Sequence, residues 1–135
     1  MEIVSWSESY SVGVAEIDAQ HKKLVSILNL LVSSMAQGAE KKVLSSILTD
    51  LAEYAGYHFD TEERYMEKFN FPGLESHRME HQWFKTKVTT LLEADKNGEP
   101  VVAVELLEFL WEWLRKHILG VDQKFSACFR ENGLR

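Results

Sequence analysis

The chain contains five histidines, and they occur at positions that mirror one another about its turn signals. This restricts the fold more than any other feature. Each lies on an apolar stripe of helical period. A first helix is expected over about 18–37, with Asp18 as N-cap, His21 beside the stripe Leu24, Leu28, Leu31 and Met35, and Gly38 as its stop. The second aligns Leu44, Ile47, Leu51, Tyr54, His58, Glu62, Tyr65 and Phe69 before N-F-P-G breaks it. The third aligns Leu74, His77, His81, Phe84, Val88 and Leu91 and ends near Asp95, where D-K-N-G-E-P begins. The fourth starts at Pro100, aligns Val104, Leu107, Leu110, Leu114, His117 and Val121, and ends at Gly120. A short terminal helix follows, with Phe125 and Phe129 placed to close the end of the assembly.

Residues at equal height on antiparallel neighbours are mirror images about the middle of the connecting loop. His21 and His58 have their midpoint at 39.5, beside Gly38. The centres of His58/Glu62 and His77/His81 meet at 69.5, at the edge of N-F-P-G, and the latter centre meets His117 at Gly98. The expected fold is therefore all-α, an up-down-up-down antiparallel four-helix bundle with an extended N-terminal segment and a short C-terminal helix. Residues 1–135 are expected to form a single domain with all the histidines at one level.

A formal charge of −6 has the wrong sign for a nucleic-acid or anionic-membrane partner. The most apolar run, V-V-A-V-E-L-L-E-F-L-W-E-W-L, carries Glu105, Glu108 and Glu112 at helical spacing, which marks a wet face and no membrane span. Cys128 is the single cysteine, and the N-terminus lacks the basic-then-apolar layout of a signal peptide. A monomer in the reducing cytoplasm is the expectation.

One histidine on an apolar stripe is ordinarily a hydrogen-bonded core residue. Five at one level call for a shared partner, because buried imidazoles without one are costly. Glu62, one turn beyond His58 and about 40° round the same face, points inward with it. Asp122 lies about 140° from His117 on a continuous α-helix, so it joins the group only if the chain turns back after Gly120. The H-R-M-E-H stretch at His77–His81 also spells a zinc-peptidase motif in which Glu80 would activate water. On a helix, however, Glu80 stands about 100° round from His81, beside the stripe that the histidines share.

The segments I-D-A-Q-H (Ile17–His21), H-F-D-T-E-E (His58–Glu63), H-R-M-E-H (His77–His81) and H-I-L-G-V-D (His117–Asp122) together resemble the hemerythrin family, specifically its single-domain bacterial members. The resemblance spans nearly the whole chain. It implies a non-haem di-iron centre with an oxo or hydroxo bridge: His77, His81 and His117 on one iron, His21 and His58 on the other, Glu62 and Asp122 across both. Counted this way, two six-coordinate irons keep one vacant position, on the iron with two histidines, where the family binds O2. Leu114, Trp113, Phe59 and Ile118 match positions that wall the oxygen pocket. The implied function is reversible O2 binding for storage, delivery or sensing, with an oxygen-consuming enzyme as a possible recipient. A di-iron oxidase or an NO-consuming enzyme is the alternative, with a zinc peptidase behind it. Five neutral imidazoles supply less negative charge for high-valent iron than the carboxylate-rich sites of ferritin-like enzymes, which favours carrying O2 over activating it. His and carboxylate donors accept zinc and manganese as well as iron.

Overall fold

Apolar side chains recurring every three to four positions give each long helix one face to bury, and burying those faces together builds the bundle. The computed structural model describes residues 6–134, with the side chains of residues 9, 40 and 118–123 left outside the description. A 3-10 turn (Glu8–Tyr10) precedes α1 (Ala15–Ala36), α2 (Glu40–Lys68), α3 (Leu74–Lys96) and α4 (Ala103–Glu112). α4 continues directly into a π-helical segment (Trp113–Val121) and then α5 (Asp122–Glu131). The described residues include no strand. The short connections 37–39, 69–73 and 97–102 reverse the chain each time, so the architecture is the expected up-down-up-down bundle. α2 packs along α1 and α3, and α4 lies against α1.

The core has two parts with the histidines between them. The larger cluster holds Leu24, Leu28, Leu51, Phe59, Phe84, Leu110 and Leu114, towards the end closed by the α1–α2 and α3–α4 loops. The smaller holds Val12, Val14, Ile17, Met66, Phe125 and Phe129 at the opposite end. Along α1, His21 falls between Ile17 and Leu24, and along α2, Glu62 falls between Phe59 and Met66. The buried Phe125 and Phe129 close the smaller end as expected.

Four local expectations are revised. α1 starts at Ala15, so Asp18 is no N-cap: its carboxylate reaches back to accept from the Val12 N–H (2.8 Å) and the Ser11 hydroxyl. That contact, with the Ser126 hydroxyl donating to the Val12 carbonyl (2.6 Å), ties the N-terminal segment over the smaller core. α4 begins at Ala103 rather than Pro100, after an extended Val102, a backbone state that β-branched residues favour. Val104 is exposed instead of joining the stripe, and Leu106 is buried in its place. The fourth helix does not stop at Gly120 but winds through it as π-helix. The Gly38 stop is as expected: at φ +67° it lets Gly38 and Ala39 donate back to Met35 and Ser34 (3.1 and 2.8 Å).

Asp18→Ala should lower unfolding free energy by about 1–3 kcal/mol, since it leaves the Val12 N–H without its charged acceptor. Hydrogen exchange checks the cause: the Val12 amide should gain more exchange than amides in the middle of α1. Equal protection in both proteins would mean that other contacts hold the segment.

Candidate metal centre

One carboxylate organises the centre of the bundle. Glu62 on α2 is completely buried, as is His21 on α1; His58, His77, His81 and His117 are each no more than 2% exposed. Its Oε2 lies 3.2 Å from His21 Nε2 and 3.1 Å from His58 Nε2. Its Oε1 faces the other way, 3.2 Å from His81 Nε2 and 3.7 Å from His77 Nε2. The His117 ring completes this second side, with its centroid 4.7 Å from that of His77 and 5.2 Å from that of His81. The result is two donor groups joined at Glu62: His21, His58 and Glu62, and Glu62, His77, His81 and His117. In each, one donor atom per residue lies within 4.8 Å of the others. All five histidines thus meet at one level, as the mirror argument expected.

The electrostatics follow from this crowding. Burial pushes the Glu62 carboxyl up, but the charge of His58 and the nearby ring nitrogens of His21, His58 and His77 outweigh it and hold the group well below the ordinary carboxylate range. Burial lowers His81, yet the neighbouring Glu62 and Glu63 carboxylates raise it overall. Glu62 Oε1 and His81 Nε2 nevertheless lie sealed from solvent without hydrogen-bond geometry. Converging imidazole nitrogens, a shared anion and unmatched buried donor atoms are what a bound divalent or trivalent cation satisfies. The residues present fit a metal pair.

The outward ring nitrogens are held by groups that the sequence reading did not single out. His58 Nδ1 meets Gln20 Oε1 at 2.6 Å, and the Gln20 amide donates to Thr61 Oγ1 at 3.3 Å. His81 Nδ1 meets Glu63 Oε2 at 2.7 Å; Glu63 is half-buried and also accepts from Arg78 at 3.3 Å. Here too burial raises the carboxyl and His81 outweighs it, so Glu63 ends below its ordinary range. Partners of this kind fix the Nδ1–H tautomer and aim the Nε2 lone pair at the centre. Within H-R-M-E-H, Met79 faces out at 74% exposure, and Glu80 sits at the margin with Oε2 3.5 Å from His117 Nδ1. A glutamate held there orients a histidine and stands outside the donor groups.

Aromatic rings line the three-histidine side. Phe59 stacks on His81 (centroids 3.9 Å, interplanar 5°) and Trp113 stacks on His117 (3.9 Å, 13°). Phe59 also touches His58, at 5.6 Å between centroids. Leu114 is buried in the larger core one turn before His117. The Asp122 and Ile118 side chains lie outside the described residues. The backbone through Trp113–Val121 is wound as a π-helix, in which residue i bonds residue i+5, and it runs on into α5 without the break expected at Gly120.

Comparison with known proteins agrees with this geometry. Residues 12–128 match the Hemerythrin family, the hemerythrin HHE cation binding domain. The bacteriohemerythrin of Clostridium acetobutylicum is 31% identical, over 89% of this chain and 96% of its own length. A hemerythrin-like protein of Naegleria gruberi is also 31% identical, over 91% of each chain. A crystal structure of wild-type hemerythrin superposes with a TM-score of 0.84 at 26% identity, covering 94% of this chain and 98% of the other. Both relatives bear hemerythrin names. With the sequence match covering both ends of the bundle and the five histidines gathered around one carboxylate, the chain belongs to the hemerythrin family.

Proposed function

We propose that this chain binds O2 reversibly at a non-haem pair of iron ions, with His77, His81 and His117 holding one, His21 and His58 the other, and Glu62 and Asp122 bridging them. The observation that carries the reading is the position of Glu62, which offers one oxygen to each histidine group. A site for a single ion has no use for a carboxylate shared in this way. An iron pair held there would supply the redox chemistry that binds and releases O2, next to the His21 and His58 group. The protein's own part is to orient and to exclude water. Gln20 and Glu63 hold the His58 and His81 rings, while Phe59, Trp113 and Leu114, with Ile118, supply the apolar wall.

We infer a role in storage, delivery or sensing, in a cytoplasmic monomer that supplies an oxygen-consuming enzyme. An oxidase or NO-consuming activity is the second reading, and the family's di-iron chemistry is the reason to test it. The marginal place of Glu80 weighs against a peptidase, whose general base would have to reach the reacting water.

Three outcomes are expected. Protein produced with iron should contain two irons per chain by elemental analysis, and its reduced form should take up one O2 with a visible charge-transfer band that fades as O2 is pumped away. A single zinc per chain, or catalytic consumption of O2, would sink the reading. Glu62→Gln should lose both iron and O2 uptake, because it removes a buried charge, whereas Glu80→Gln should keep both. Equal losses from the two would assign Glu80 a direct part. Leu114→Ala should admit water, hasten oxidation of the iron pair in air and cost about 2–5 kcal/mol of stability. Unchanged oxidation rates would leave Leu114 as core packing alone.

A further inference from the structure

We propose that the groove between α3 and α4 is the docking face for a basic one-electron carrier protein, and that Trp83 and Trp113 conduct electrons from it to His117. The proposal rests on the di-iron reading and adds how the pair is kept reduced. The groove has a volume of about 660 Å³ and a floor of Met79, Trp83, Phe109 and Trp113. Trp83 is 58% exposed and Met79 74%, large apolar side chains of the sort that mark contact surfaces. The rim carries Glu80, Glu105, Glu108 and Glu112 against Lys87 and Lys116, and Lys116 is already paired with Glu112 at 2.8 Å. Negative charge is therefore in excess at the groove, on a chain whose formal charge is −6. A basic surface is the complementary partner.

A ring stack links this face to the centre. Trp83 lies on Trp113 with centroids 6.3 Å apart and planes 26° apart, and Trp113 lies on His117 at 3.9 Å and 13°. Packed rings couple electronically far better than solvent or a gap, so the stack runs from solvent to a proposed iron ligand without a break. On the opposite side of the site Tyr54 stacks on His58 (5.0 Å, 14°), but Tyr54 is buried and offers a carrier no exposed end. The path ends at His117, in the group of three histidines, whereas the proposed O2 position is on the side of His21 and His58. Electrons and O2 would then approach the site from different sides. In each encounter the carrier loses one electron and the iron pair gains it. Two encounters take a diferric pair to a diferrous one, no bond in the protein is made or broken, and any accompanying proton comes from solvent. Transient redox complexes need only a small interface, and steering charge sets their rate.

The test uses the iron-loaded protein, reduced without O2, with ferricytochrome c as the basic carrier probe and stopped-flow detection of its reduction. Paired Glu105→Lys and Glu108→Lys changes should slow the reaction by about tenfold or more at low ionic strength and weaken its salt dependence. Trp83→Leu should slow it several-fold at every ionic strength, and Trp83→Phe should restore most of the rate, with iron content and O2 uptake unchanged in both. Zero-length carbodiimide crosslinks to cytochrome c should map to Glu105 and Glu108. Crosslinks confined to another face would overturn the docking site. A Trp83→Leu rate equal to that of the unchanged protein would overturn the conduction path while leaving the di-iron reading intact. Absence of iron on elemental analysis would sink that reading and the path with it, and the crosslinks would then judge the docking face alone.

Discussion

A carboxylate buried at the centre of a helical bundle is the constraint on which the rest of this structure depends. Removing Glu62 from water is expensive unless partners on every side compensate. Those partners come from α1, α2 and α3 and sit beside the ring of His117, so each neighbouring helix is located by what it presents to the same carboxylate. The two apolar clusters on either side can then be packed independently, as sealed ends of a polar layer. Hydrophobic burial supplies the general drive to assemble, and it is non-directional. The polar layer supplies the register that burial lacks.

Around this layer a second ring of contacts converts orientation into chemistry. Gln20 and Glu63 reach histidines on other helices, at 2.6 and 2.7 Å, and each is itself held, by Thr61 and by Arg78. The exposed Arg78 pairs with Glu67 and Glu75 contribute little to stability, as surface ion pairs do, and the half-buried Glu63 contact matters for aiming His81. On the α3–α4 side the outer contacts are aromatic, and they continue to the surface at Trp83. The site is polar and well anchored towards α1 and α2, and apolar and open-grooved towards α3 and α4. That asymmetry gives the two donor groups around Glu62 different environments.

The fourth helix shows how winding can change without interrupting a helix. α4 passes through a π-helical stretch directly into α5, and α5 delivers Phe125 and Phe129 to the smaller core. The helix that carries His117 thus also supplies the aromatic residues that close the end of the bundle.

Much of this was legible in the one-dimensional pattern. Helical periodicity and turn residues at Gly38, N-F-P-G and Gly98 determined that the chain is a four-helix bundle and that its five histidines share a level, because both depend only on spacing along the chain. The same spacing placed Glu62 inward and Glu80 beside the histidine stripe. Which outward ring nitrogen meets Gln20 and which meets Glu63 was decided only by tertiary structure, since each contact joins residues 38 and 18 positions apart on different helices. The role of Asp18, the late start of α4 and the π winding through Gly120 were likewise invisible, because local propensity is weak enough for packing to override it. Sequence period determines which face of a helix is buried; what that face touches depends on how neighbouring helices are rotated and offset, and only the packed bundle sets those two quantities.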